Sequence, residues 1–263
     1  MEGTWSDVYM FELPLEKTKA ERVNPKKIIL FSNPKVGKST MVAALENNLI
    51  IDLENGLGFL DALKVNVLQL AKEQNQTPLT ILKEVINKIT TANEKKGGFV
   101  YKYITIDTVS ALEDIALELA NKLYKNTPMG RNWQGDDVTK LPNGAGYQYL
   151  REAMEIILNE LEPLCDTLII LGHLKGKFVE KEGKEMEARG LALTGKLSSM
   201  LCANVDAIGY VYRDDNKTKI NFAPSESLVV GSRPDHLKNK IITVIESDAE
   251  GKLSINWSEI FID

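Results

Sequence analysis

Gly37, Lys38 and Ser39, inside the stretch Lys27 to Leu45 (KIILFSNPKVGKSTMVAAL), are residue types that hold a phosphate. Glycine lets the backbone approach an anion closely. A lysine ammonium reaches phosphate oxygens, and the neighbouring hydroxyl can ligate Mg²⁺. Ser32, Asn33, Pro34, Lys35 and Val36 lead into them and Thr40 follows, so residues 32–40 form a candidate phosphate loop. Further along, Glu54 could polarise a water against a γ-phosphate. Asp107 could hold the water shell of a bound Mg²⁺. His173 could hydrogen-bond the γ-phosphate or the attacking water.

The loop departs from the pattern G-x-x-x-x-G-K-[ST] at its first glycine, where this chain has Ser32. The plain alternative is a chance GKS at a helix start. What decides for the phosphate reading is context. Ile28–Phe31 is an apolar run of the kind a fully buried parallel strand shows. Asn33–Lys35 is a turn containing proline. From Gly37 the residues Met41, Val42, Ala43, Ala44 and Leu45 favour helix. Backbone N–H groups at such a helix start converge on an anion.

The remaining elements must carry the other groups to the same place. Leu49–Leu53 reads as a second buried strand, closing on Asp52 and Glu54 before the turn signal Asn55-Gly56. Val65–Leu70 reads as a further short strand. Thr77 caps a helix from Pro78 with an apolar stripe of Leu79, Leu82, Val85, Ile86 and Ile89, and Gly97-Gly98 ends it. Phe99–Ile106 is a strand closing on Asp107, with a helix from Ser110. Residues 124–146 read as a long polar loop, which in a compact domain is usually functional or mobile. Tyr147–Leu161 is a helix, and Thr167–Leu171 a strand ending at Gly172-His173. Lys175–Arg189 reads as a charged hairpin about Glu182-Gly183. Leu193–Leu201 is a short helix, Asp206–Tyr212 and Lys217–Phe222 are paired strands, and Ile241–Ile245 and Leu253–Ile255 are short strands before a Trp257–Ile262 segment.

Strands alternating with helices predict an α/β fold with a mostly parallel sheet. Ligands of such sheets bind beyond the carboxyl ends of the strands. Phe31, Leu53, Ile106 and Leu171 all run into polar residues at that edge, which is the strongest argument for a site. Asp107 could instead merely begin a turn. Asp52 and Glu54 share one side of their strand, so spacing does not separate them; nearness to the strand end favours Glu54. For His173 a structural role competes evenly with a functional one.

Composition is that of an ordinary soluble globular chain of 263 residues. No apolar run reaches the roughly 20 residues of a membrane helix, and the acidic start lacks a signal-peptide pattern; a cytoplasmic protein is expected. Cys165 and Cys202 lie in apolar surroundings, as buried reduced thiols do. With His173 and His236 the only histidines and no close Cys pair, composition argues against a structural zinc site. A net charge of −5 confines any nucleic-acid contact to a local basic patch. The 124–147 loop offers Lys125, Arg131, Trp133 and Tyr147, aromatics among bases that could stack on single-stranded DNA. The 174–190 segment offers Lys175, Lys177, Lys181, Lys184 and Arg189, balanced by glutamates, so a solvated hairpin competes with a DNA-contact loop. The lead-in could be pinned by Trp5, Tyr9, Phe11 and Leu13.

In order, SNPKVGKST, IIDLENGLGFLD, YITIDTVSAL and LIILGHLKGK resemble the signature strands of RecA-like ATPases. GAGYQYLREAMEIILNELEPLCDTLIILGH and GSRPDHLKNKI are similar to the phage-encoded Sak single-strand-annealing group, whose members are often described as AAA or nucleotide-binding ATPases. The resemblance implies a RecA-like P-loop NTPase core over residues 26–245. Residues 1–25 would be an irregular lead-in, and 246–263 a C-terminal tail packed on the core after an antiparallel β extension. It implies ATP and Mg²⁺, with Lys38 and Ser39 in the Walker A roles and Asp107 in the Walker B role. Glu54 matches the water-activating glutamate of RecA relatives. His173 stands where RecA has a glutamine that couples nucleotide to DNA. It further implies a homo-oligomer with ATP near the subunit interface, single-stranded DNA as partner, and a phage recombination role alongside other phage recombination or replication proteins. Arg233 or Lys196 would be candidates to reach a neighbour's phosphate. Two rivals are a nucleotide-gated binding module with little turnover and a small-molecule phosphotransferase, for which the scattered arginines supply no lid.

Overall fold

The computed structural model describes residues 14–181 and 184–262. Trp5, Tyr9, Phe11, Leu13 and the Glu182-Gly183 turn lie outside the described residues. The chain opens with β1 (Lys27–Ser32), α1 (Lys38–Ala43), β2 (Asn48–Asp52), β3 (Leu63–Asn66), α2 (Val67–Glu73) and α3 (Pro78–Lys96). β4 (Tyr103–Asp107), α4 (Val109–Lys125), α5 (Tyr147–Leu161), β5 (Thr167–Lys181), β6 (Lys184–Leu191) and α6 (Leu197–Ala203) follow. The C-terminal part holds β7 (Ala207–Asp214), β8 (Lys217–Asn221), β9 (Gly231–Ser232), β10 (Ile241–Ser247) and β11 (Leu253–Ile255).

The strand order is β11-β10-β8-β7-β1-β5-β4-β2-β3. Pairing is parallel from β7 through β1, β5, β4 and β2 to β3, and antiparallel where β8, β10 and β11 extend the other side. The fold class read from the sequence therefore holds: a mostly parallel α/β sheet with an antiparallel C-terminal extension. β1 alternates between two apolar layers, which is why its run is continuous. Ile29 and Phe31 join the layer made with α2 to α6, while Ile28 and Leu30 join the layer made with α1, Leu237, Trp257 and Ile260.

Local chemistry explains where the elements differ from expectation. The expected strand over Val65–Leu70 is cut at Asn66, whose side chain accepts from Gln69 N at 2.8 Å and starts α2. The strand expected from Phe99 begins only at Tyr103. Val100 N donates to Asn93 Oδ1 at 2.8 Å and Lys96 Nζ donates to Phe99 O at 2.8 Å, so these residues are tied to the end of α3. The short helix expected over Leu193–Leu201 forms at Leu197–Ala203. α3 itself starts and stops where its cap residues require, with Thr77 Oγ1 accepting from Thr80 N at 3.2 Å and Gly97 at φ 70°.

The 124–146 stretch is more ordered than its polarity suggests. Val138 is fully buried inside a short 3₁₀ turn, and its N–H donates to Asn121 Oδ1 at 2.9 Å. Trp133 meets Tyr124 edge-on at 5.3 Å, with Lys125 Nζ 5.5 Å from the Trp133 ring centre. Trp133 is thus engaged within the chain. β5 runs on past His173 to pair with β6 as an antiparallel ribbon, from Leu174↔Leu191 to Lys181↔Lys184. Cys165 is buried, which pushes its thiol up to about 12, whereas Cys202 is only partly buried.

Candidate nucleotide site

β1 delivers the loop. Ser32 is its last residue, and the chain then turns through Lys35 at φ 64° and Gly37 at φ 105°. A side chain at 37 would be strained at that φ, so glycine is the residue that fits. α1 begins at Lys38, and Met41 N donates to Gly37 O at 3.0 Å. Lys38 is buried. Its Nζ donates to Ser32 Oγ at 2.7 Å and to Asn33 O at 3.3 Å. The serine that breaks the glycine pattern thus supplies an acceptor that a glycine side chain cannot.

Parallel register brings the other strands level with the loop. Ser32 pairs with His173, and Asp52 pairs with Asp107. Ser39 Oγ donates to Asp107 Oδ2 at 2.8 Å, across the strand that lies between β1 and β4. Burial holds the Lys38 ammonium below the usual lysine range, against the pull of Asp107 and Glu54. Burial also lifts the Asp107 carboxyl above the usual carboxylate range. Glu54 and Asp52 add repulsion, while the Ser39 hydrogen bond and Lys38 oppose it.

The structure separates Asp52 from Glu54. Asp52 is 2 % exposed and spends its carboxylate on the backbone, accepting from Glu54 N at 3.1 Å, Gly56 N at 3.3 Å and Leu57 N at 3.3 Å. It builds the turn. Glu54 is exposed at the sheet edge. Its Oε1 accepts from the Thr108 hydroxyl and lies 3.2 Å from His173 Nε2. A carboxylate only accepts, so His173 Nε2 carries the hydrogen in that contact. His173 Nδ1 is buried and has no hydrogen-bond partner among the described residues.

Ser39 Oγ and Asp107 form a hard oxygen pair of the kind Mg²⁺ takes, completed in such sites by phosphate oxygens and water. Among the described residues no group of three or more His, Cys, Asp or Glu is placed to hold a metal ion. Arg233 stands elsewhere. Its guanidinium pairs with Asp206 at 3.0 Å beside the amino-terminal end of β7, one strand length from the loop. Lys196 sits exposed at the start of α6.

Thr108 escaped the sequence reading. Its only signal is a hydroxyl directly after a strand-end aspartate. Trp257, whose indole N–H donates to Met41 O at 2.9 Å, gave no signal beyond an isolated aromatic near the end of the chain.

A strand, loop and helix holding a buried lysine, with an aspartate two strands away bonded to the following serine, define a phosphate-loop nucleotide-binding protein. A family model described as an AAA domain matches residues 24–234. The chain belongs to that family. Among solved structures it is similar to the RadB recombinase, at 10 % identity over 89 % of this chain and 92 % of that one, with a TM-score of 0.39. That likeness is too distant to assign an activity here. No curated protein matches the chain in sequence. Among the described residues no helix is long and apolar enough to cross a membrane.

Proposed function

We propose that this protein is a RecA-like ATPase that binds ATP with Mg²⁺ and acts on single-stranded DNA in phage-type recombination. One observation carries the reading: Lys38, the Ser39–Asp107 pair and Glu54 meet at one edge of the sheet, from three different strand ends. Mg²⁺ held through Ser39 Oγ and Asp107 would neutralise charge on the β- and γ-phosphate oxygens. Lys38 leaves Ser32 Oγ and Asn33 O for those oxygens. The loop N–H groups and the start of α1 fix the triphosphate. Glu54 would orient a water in line with the γ-phosphorus and take its proton as the water oxygen bonds to phosphorus and the bond to the β–γ bridging oxygen breaks, so that ADP leaves and phosphate is released. His173, touching Glu54, senses whether that water and phosphate are present.

The DNA reading is supported by continuity. His173 lies on β5, which runs on as one arm of the ribbon and pairs there with β6, so a shift at the γ-phosphate would be carried along β5 into a segment with Lys175 and, on the paired arm, Arg189. With Trp133 engaged by Tyr124, the ribbon is the better candidate of the two expected DNA segments. A homo-oligomer with ATP near the subunit contact belongs to the same reading.

ATP turnover with and without single-stranded DNA tests the proposal. Lys38→Ala abolishes turnover, and Glu54→Gln keeps nucleotide binding while removing hydrolysis. Turnover at the wild-type rate in Lys38→Ala overturns the mechanism, and an unchanged rate with DNA removes the coupling. The second reading, a nucleotide-gated binding module with little turnover, is favoured by the Lys38–Ser32 hydrogen bond, which competes with the phosphate for the lysine. It is distinguished by a Glu54→Gln variant that changes no rate. A phosphotransferase finds less support, since Arg22 and Arg233 are engaged with Asp166 O and Asp206, away from the loop.

A further inference from the structure

α1 is six residues long, too short to hold itself in water. Its C-terminal end is held from outside. The buried Trp257 donates its indole N–H to Met41 O at 2.9 Å, and Asn48 Nδ2 donates to Val42 O at 2.8 Å. Asn48 is fixed in turn by Thr105 Oγ1, which donates to its Oδ1 at 2.9 Å. A longer helix would satisfy these carbonyls with its own next turn. Here the chain leaves the helix at Ala44: Val42 O is met locally by Leu45 N at 3.3 Å as well as by Asn48, whereas Met41 O takes its donor from Trp257, 216 residues away.

Trp257 is itself clasped. Its ring stacks on Phe261 at 5.6 Å and 21°, and Phe261 lies 4.7 Å from Tyr103 at the start of β4. His236 Nε2 lies 3.0 Å from Ile260 O. Asn24 Nδ2 donates to Ile262 O at 2.6 Å, and Ile262 N donates back to Asn24 Oδ1 at 2.9 Å. Residues 257–262 therefore join the phosphate-loop helix to β4 and to the segment before β1.

We infer that Trp257 is a positioning residue for the phosphate site, and that nucleotide affinity depends on its indole hydrogen bond to Met41 O, although that bond lies at the opposite end of α1 from the phosphate loop. The inference rests on the nucleotide reading above. Without the indole, Met41 O is left buried with no side-chain donor among the described residues. In the nucleotide-free protein, opening the end of α1 to water relieves that cost. Nucleotide binds only the formed helix, so its apparent dissociation constant rises as the formed fraction falls. One buried hydrogen bond is worth roughly a five- to tenfold loss of affinity by this route.

Trp257→Phe in the full chain keeps an aromatic ring for Phe261 and removes the donor. Titration with Mg²⁺ and a non-hydrolysable ATP analogue should show binding weakened about five- to tenfold. Asn24→Ala is the control, because it loosens the far end of the clasp without touching Met41 O; it should lower thermal stability and leave affinity within about twofold. Wild-type affinity in Trp257→Phe overturns the inference, as does an equal loss in Asn24→Ala. A wild-type protein that binds no nucleotide overturns the site reading itself. The wild type gives a second measurement that no folding defect can obscure. By reciprocity of linkage, nucleotide should slow hydrogen exchange across residues 257–262, and unchanged exchange there counts against the clasp.

Discussion

His173 Nε2 lies 3.2 Å from Glu54 Oε1, joining the strand before the ribbon to the carboxylate proposed to direct water. The same oxygen accepts from Thr108. Two donors from two neighbouring strands thus fix one oxygen of Glu54 and leave Oε2 to receive a water. Thr108 is 1 % exposed, so its contact is shielded from competing solvent. Thr108→Val should lower ATP turnover by about 10- to 100-fold, because a misplaced base costs rate steeply, while analogue binding stays at the wild-type level. Thr108→Ser should keep most activity. A steady-state comparison of the three proteins checks this, and equal turnover in the valine variant removes Thr108 from the mechanism.

The buried charge at Asp107 has a pH consequence. Its folded pKa is raised above the ordinary 3.8. The stability it contributes is fully present below that ordinary value and is lost as pH rises through the folded one. At neutral pH the ionised carboxylate is a standing cost. Asp107→Asn keeps an acceptor for Ser39 Oγ and discards the charge. The nucleotide-free variant should melt about 2–4 °C higher than wild type at pH 7.5, with the gap closing as the pH falls toward the acid range. The extra stabilisation by Mg²⁺ with ATP analogue should disappear. Thermal melts across pH check both halves, and a lower melting point at pH 7.5 defeats the argument.

Asp52 and Glu54, two residues apart, should fail in opposite ways. Asp52→Ala orphans the N–H groups of Glu54, Gly56 and Leu57 and should destabilise the fold by about 1–3 kcal/mol. Glu54→Gln should leave the melting point close to wild type and remove turnover. Denaturant unfolding beside an ATPase assay distinguishes the two, and loss of hydrolysis without loss of stability in Asp52→Ala would transfer the water-directing role to Asp52.

Much of the site edge is legible in the amino-acid sequence alone. β1, β2, β4 and the first part of β5 announce themselves as apolar runs closing on polar residues, so the site edge and the positions of Lys38, Ser39, Glu54, Asp107 and His173 follow from order alone. The split between Asp52 and Glu54 does not, because it depends on which backbone N–H groups the turn at 54–57 points inward. The paired arms of the ribbon are legible as a charged hairpin over Lys175–Arg189, but that β5 runs unbroken into it is not, because the apolar run ends at Leu171 and the backbone groups beyond it are satisfied by the pairing with β6. Val138 is lost among polar neighbours, although it fills a core position under α4 and α5. The hold of Trp257 on Met41 spans 216 residues, a separation at which no local pattern operates.

Gly209 shows the reverse case, a residue whose importance is entirely steric. It lies on β7, next to β1. A Cβ there would stand 2.5 Å from Ile220 Cγ2, 2.9 Å from Phe222 Cε1 and 3.0 Å from Leu30 Cδ2. Ile220, Phe222 and Leu30 are fully buried in the layer that also holds α1, and dense packing leaves them little room to move. Gly209→Ala should therefore cost about 1–3 kcal/mol through overpacking. Because Leu30 is two residues from Ser32, the displaced side chains should push on the strand that delivers the loop. Nucleotide affinity is then expected to fall along with stability, whereas Gly231→Ala, with nothing within 4 Å of its added Cβ, should leave both unchanged. Chemical denaturation and analogue titration on the two variants check this; a Gly209→Ala protein as stable as wild type would mean that the layer around α1 yields more readily than its burial implies.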